Sequence, residues 1–228
     1  EYLLPHHIGA YLNADELEQQ LHQTQCINLS LYHSKLKAQD LIEFLKQKKR
    51  PKAGEYLALL SKEPLLLNEW EIQFDISEID SYLCARIIDY IRLTFLDLKV
   101  SFTFETVMSH VSKVEFLKEA QQQGYRTYLY FVSTVDPMIN IARVQYRVKT
   151  GGHNVPEQKI IDRYHRSMDL LMSAVESTDR TYIFDNSADG QIASFIAEIE
   201  SAEILKLNQS LKTLPKWFAE RVLKDFEA

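Results

Sequence analysis

The chain has 228 residues, with 26 Lys and Arg against 32 Asp and Glu and a formal net charge of −6; a chain of this size buries roughly 70–75% of its unfolded surface, enough for a core without staples. The acidic balance argues against a nucleic-acid binder, which would carry a basic face, and Cys26 and Cys84, with no CxxC pair, argue against a disulfide framework or a zinc site. No apolar run is long enough to span a membrane and no signal peptide is visible, so a soluble cytoplasmic protein is expected.

EYLLP at the start reads as the tail of a helix already under way, which suggests that something upstream is absent. Ile8–Asn13 is the first short apolar run and is expected to be a strand. Roughly eighty residues separate it from the second, far more than a usual crossover. Residues 16–78 are therefore read as a long, mainly helical insertion into a core formed by 1–15 and 79–228. Within the insertion, Lys35–Lys49 is an amphipathic helix whose basic end, KQKKRPK, reads as a solvated C-terminus favoured by the helix dipole. Trp70–Ile76 alternates and can add a strand pair.

Beyond it come a helix over Ser77–Phe95, a strand at Val100–Phe104 and a helix over Ser112–Gln123 stopped by Gly124. Then follow a strand at Tyr128–Val132, helices over Pro137–Lys149 and Pro156–Ser177, and a strand at Thr181–Phe184. Pro215–Phe226 closes the chain as a capping helix with Trp217 and Phe218 on its apolar side. Strands alternating with helices point to an α/β fold with a parallel sheet flanked by helices.

Each expected strand ends in polar residues: Asn13 and Asp15, Glu105 and Thr106, Ser133, Thr134 and Asp136, then Asp185, Asn186 and Ser187. In open α/β sheets ligands bind beyond the carboxyl ends of the strands. Thr134, Asp136 and Ser187 are better read as helix caps and turn residues. Glu105 is a poor cap directly after a β-rich run, so it is a functional candidate. No histidine has the spacing of a metal pair, and no protein-bound metal centre is expected.

The stretch Arg143–Ser167, RVQYRVKTGGHNVPEQKIIDRYHRS, places Arg143 and Arg147 on one helix face and Arg163 and Arg166 on another. Gly151 and Gly152 suit a sharp connection between the two helices, with Pro156 as the first residue of the second. Guanidinium forks match phosphate oxygens, so the cluster reads as an anion site; two solvated helix faces are the plainer alternative. His153, inside the glycine connection, is a further candidate for touching phosphate.

NADEL after a strand, FETVMSH at a strand end, GY before YLYFV, the GGHNVPE…RYHRS block and YIFDNS occur in that order. The set resembles the zeta-toxin-like branch of P-loop kinases, grouped with zeta toxins and UDP-N-acetylglucosamine kinases, over Tyr11–Glu16 and Ser101–Ser187. The resemblance implies a P-loop kinase-like α/β core and an ATP- and Mg²⁺-dependent phosphotransferase acting on a hydroxyl of a small molecule such as a nucleotide sugar. It further implies an antitoxin protein as partner if the chain is the toxin of a pair. By the same resemblance Asp15 is the general base, Glu105 the second acid, and Arg143 and Arg147 neutralise charge on the transferring phosphoryl group. Thr106, His153, Arg163, Arg166 and Asn186 are nucleotide- or substrate-binding by the same likeness, although Arg163 and Arg166 could equally pair with acids inside the fold.

Three departures stand out. The GxxxxGK[ST] loop is not in the sequence, so the chain as written is expected to bind nucleotide weakly and turn over little. Val107 stands where zeta toxins have a threonine, and the insertion falls where the substrate pocket is shaped. The competing expectation is a non-catalytic nucleotide- or partner-binding module of the same fold.

Overall fold

The computed structural model describes residues 8–46, 61–150, 152 and 154–226. Contacts divide the chain into two units, between Thr106 and Val107. EYLLP, most of KQKKRPK, Gly151 and His153 lie outside the described residues.

The first unit runs β1 (Ala10–Leu12), α1 (Ala14–Thr24), β2 (Cys26–Asn28), α2 (Ala38–Lys46), β3 (Leu65–Leu66), β4 (Glu71–Gln73), α3 (Ser81–Leu98) and β5 (Phe102–Phe104). β1 and β5 pair in parallel, Leu12 opposite Phe104. Gly9 makes this approach possible. Its φ is +61°, and a Cβ there would stand 2.3 Å from the Ser101 carbonyl oxygen, so only glycine fits. The alternating stretch after Trp70 does form a strand: β4 is the centre of an antiparallel trio with β2 and β3.

Helix α3 starts later than Ser77 because two aspartates act in turn. Asp75 caps a short 3-10 turn over Ile76–Glu78, and Asp80 then accepts the Tyr82 and Leu83 N–H groups at 2.9 and 2.8 Å. The helix continues past Phe95 to Leu98, where Lys99 takes a left-handed φ of 59°. Leu12, Leu21, Ile27, Leu41, Ile72, Ile87 and Phe95 belong to one buried cluster. Residues 16–78 thus share a core with β1 and α3. Each such side chain fully withdrawn from water is worth about 1.5–3 kcal/mol.

The second unit runs α4 (Val111–Gln122), β6 (Tyr128–Ser133), α5 (Pro137–Lys149), α6 (Glu157–Val175), β7 (Arg180–Asp185), β8 (Ser194–Glu200), β9 (Ile204–Leu207) and α7 (Lys216–Arg221). Its sheet has the order β6-β7-β8-β9, and only β6 and β7 are parallel. The expected parallel sheet is found in part: the expected strands pair in parallel as β1–β5 and β6–β7, while β8 and β9 add an antiparallel meander. The β8–β9 turn hides from a sequence reading. Ser201 and Ala202 carry φ of 52° and 56°, a conformation for which Gly, Asn or Asp is the usual signal.

Asp179 fixes the β6–β7 register by accepting the Thr127 N–H at 2.7 Å and its hydroxyl at 2.9 Å. One sheet face carries Phe131 and Ile183, which pack with Leu117, Met168, Leu171 and Phe218. On the other, Tyr130 stacks on Tyr182 at 5.0 Å. Gly124 stops α4 as expected, at φ +84°. Pro156 is not the first residue of α6. Its ψ of 135° keeps it in the cap position, where its carbonyl accepts the Ile160 N–H at 3.2 Å. No helix among the described residues is long and apolar enough to cross a membrane.

Candidate functional site

In the first unit the chemistry gathers at the carboxyl end of the β1–β5 pair. Asn13 ends β1 and caps α1, its Oδ1 accepting the Asp15 N–H at 2.9 Å and the Glu16 N–H at 3.3 Å. Asp15 and Glu16 occupy the first turn, where the helix dipole favours negative charge. The Asp15 carboxylate is exposed. Glu105 directly follows β5 and donates its N–H to the Leu12 carbonyl at 3.2 Å, which extends the pairing by one step. Its side chain turns back onto β1. Oε1 accepts the Tyr11 hydroxyl at 2.6 Å, and Oε2 accepts Asn13 Nδ2 at 3.2 Å. The same amide reaches Tyr11 Oη at 3.2 Å. Asp15 and Glu105 are therefore brought to one strand tip through Asn13. Burial, followed by the bond to Glu105, raises the Tyr11 phenol above its ordinary pKa, so it remains a proton donor at neutral pH.

In the second unit α5 and α6 lie against each other, with Gln145 Nε2 donating to Glu157 Oε1 at 2.9 Å. Arg143, half-exposed on α5, faces Asp189 at 3.6 Å on the loop after β7. That loop also holds Asn186, whose N–H donates to the Ser133 carbonyl at 2.7 Å. Arg147 and Arg166 are exposed and Arg163 is half-buried. Among the described residues none of these three meets a carboxylate. Gly152 sits against the Arg147 stem, where a Cβ would come within 2.6 Å of Cγ.

The polar residues read as structural are structural. Asp136 caps α5 through the Met138 N–H at 2.7 Å, and Ser187 Oγ accepts the Val135 N–H at 2.8 Å. Thr134 is buried under the Tyr164 hydroxyl, which donates to its carbonyl at 2.9 Å. Asp185 is consumed in the fold, accepting Trp217 Nε1 at 2.9 Å. His110 caps α4 through Nδ1, which accepts the Ser112 N–H at 3.2 Å. Thr106 and Val107 follow β5 in an exposed loop. Tyr11 was missed by the sequence reading. The one signal available was a tyrosine two residues before NAD on a strand, and nothing in that spacing names its partner 94 positions away. No group of three or more His, Cys, Asp or Glu among the described residues is arranged to hold a metal ion.

Helices combined with parallel and mixed sheets define an α/β protein. The zeta toxin family model matches residues 75–193, more than half the chain, and the chain belongs to that family. The match includes Glu105, the four arginines and Asn186; Asp15 precedes it. An uncharacterized protein of Haemophilus influenzae (strain ATCC 51907 / DSM 11121 / KW20 / Rd) is 32% identical over 65 residues, 28% of this chain and 46% of that protein. The chain thus spans less than half the length of that relative. No solved structure matches the chain.

Proposed function

We propose that the protein is an ATP-dependent kinase that phosphorylates a hydroxyl of a small molecule, with nucleotide sugars as the first acceptors to try. The observation that carries the reading is the link through Asn13, which sets the Asp15 backbone and the Glu105 carboxylate at one strand tip in a chain of the zeta toxin family. Asp15 takes the proton from the acceptor hydroxyl, for which its exposed carboxylate is open to an acceptor from solvent. Glu105 orients the acceptor. Arg143 and Arg147 neutralise charge on the phosphoryl group in flight, a role worth about 10³–10⁵ in rate for an arginine supplied in cis. Arg163, Arg166 and Asn186 hold the nucleotide, and Thr106 contacts the acceptor.

Mg²⁺ suits this donor set. It keeps several waters and takes one or two carboxylates together with substrate phosphates, so it would enter with the triphosphate, Glu105 helping to hold its shell of waters, without a protein-built cage. When bound, the ion would neutralise phosphate charge. An antitoxin protein is the partner the same reading implies.

The test uses the full-length gene product with ATP, Mg²⁺ and a panel of nucleotide sugars, following ADP release and phosphorylated product. Asp15→Asn is expected to lower turnover by about 10²-fold or more while leaving the fold intact. Turnover at the wild-type rate would overturn the assignment of the base. A second reading, a module that binds nucleotide or a partner without transferring phosphate, is favoured by Val107, whose apolar side chain is 53% exposed beside Glu105 and Thr106. Nucleotide binding without ADP release from any acceptor would select it.

A further inference from the structure

The chemistry proposed above leaves the Tyr11 hydroxyl unused. Tyr11 lies between half-buried Ala10 and fully buried Leu12 on β1, so strand alternation sets it on the face away from the core, 40% exposed. A phenylalanine would serve that position equally well for packing. What the hydroxyl adds is a bond of 2.6 Å to Glu105 Oε1, within the range for an O–H donor on a carboxylate. Asn13 Nδ2 faces both Tyr11 Oη and Glu105 Oε2 at 3.2 Å. The three side chains close a ring in which the amide donates to the phenol oxygen and to one carboxylate oxygen, and the phenol donates to the other. Both oxygens of an otherwise free, exposed glutamate are thereby fixed, while each keeps a lone pair for another partner.

We infer that Tyr11 is a positioning residue that holds the Glu105 carboxylate in one orientation at the strand tip, ready for the acceptor or the metal shell. The inference rests on the kinase reading for its catalytic meaning and on the hydrogen-bond ring for its structural meaning. Tyr11 touches neither substrate nor nucleotide in this scheme and acts through Glu105.

The experiment compares wild type, Tyr11→Phe, Glu105→Gln and the double variant, each as the full-length gene product. With ¹³Cζ-labelled tyrosine, the Tyr11 resonance is assigned by its loss in Tyr11→Phe. In Glu105→Gln its titration midpoint should move down toward that of an ordinary phenol. In the phosphotransfer assay Tyr11→Phe should lower kcat roughly tenfold, the low end for a hydrogen bond to a charged group, with KM for ATP and the melting temperature unchanged. In the Glu105→Gln background the same substitution should add less than about twofold, because residues acting as one unit are not additive. An unmoved Tyr11 midpoint in Glu105→Gln, or a full independent loss of rate in the double variant, overturns the assignment. A wild type that transfers no phosphate sinks the kinase reading instead, and the titration alone then decides whether Tyr11 holds Glu105.

Discussion

Asn13 Nδ2 donates to Glu105 Oε2 at 3.2 Å, across the tips of two parallel strands. The other end of the same amide caps α1, so one residue serves the helix start and the acid together. Asn13→Ala should cost about 1 kcal/mol from the lost cap and release one side of Glu105. Asn13→Asp keeps the cap but sets a carboxylate against a carboxylate. Like charges raise the folded-state pKa values of such a pair, so its penalty should be full at neutral pH and shrink as pH falls through the carboxylate range. Urea unfolding of both variants at neutral pH and at about pH 4 checks the sign.

Arg143 is held by Asp189, whose side chain is 95% exposed, at 3.6 Å. A pair this open contributes only about 0–1 kcal/mol, so Asp189→Asn should leave the melting temperature where it is. If Arg143 serves a phosphate, releasing it should tighten ATP binding by up to about fivefold, the ceiling set by that same pair energy. The gain should fade at high salt. Calorimetric titration of both proteins with ATP at two ionic strengths reads the effect, and weaker binding by Asp189→Asn would remove Arg143 from the anion site.

Gly9 governs the strand pair on which the acids stand. Gly9→Ala must place a side chain in a left-handed conformation, at about 1–2 kcal/mol. It must also relieve the 2.3 Å approach to the Ser101 carbonyl oxygen. A loss of at least about 2 kcal/mol in urea unfolding is expected, with nucleotide-independent loss of any activity that needs Glu105.

Asp179 is the pH-sensitive anchor of the second unit. Burial pushes its carboxyl up, but the Thr127 N–H and hydroxyl, with Gln121 and Arg126, pull it below the ordinary value on balance. A depressed folded pKa means stability that is present above the unfolded value of about 3.9 and lost as pH falls through the folded one. Asp179→Asn should therefore be less stable than wild type at neutral pH, and the gap should narrow as pH falls below the unfolded carboxyl value of about 3.9. Thermal melts across that range measure it, and a constant gap would show that the carboxylate charge is irrelevant.

What could be read directly from the residues was local. Apolar periodicity marked the described helices from α2 to α7, Asp136 marked the start of α5 and Gly124 the stop of α4, and the order of motifs marked the family. The helix starting at Ala14 falls largely in the stretch read as an insertion from its length alone. Its Leu17 and Leu21 share one buried cluster with Leu12 and α3.

The β8–β9 meander escaped because left-handed turn residues usually announce themselves as Gly or Asn, and here they are Ser201 and Ala202. Tyr11 escaped for a different reason. A hydrogen bond between residues 94 apart leaves no trace in either local pattern, and only the parallel register of β1 and β5 sets the phenol against Glu105. Composition and spacing thus determined which groups this protein carries and on which elements. Strand pairing decided which of them meet, because hydrogen bonds depend on distances of a few tenths of an ångström that only the folded backbone sets.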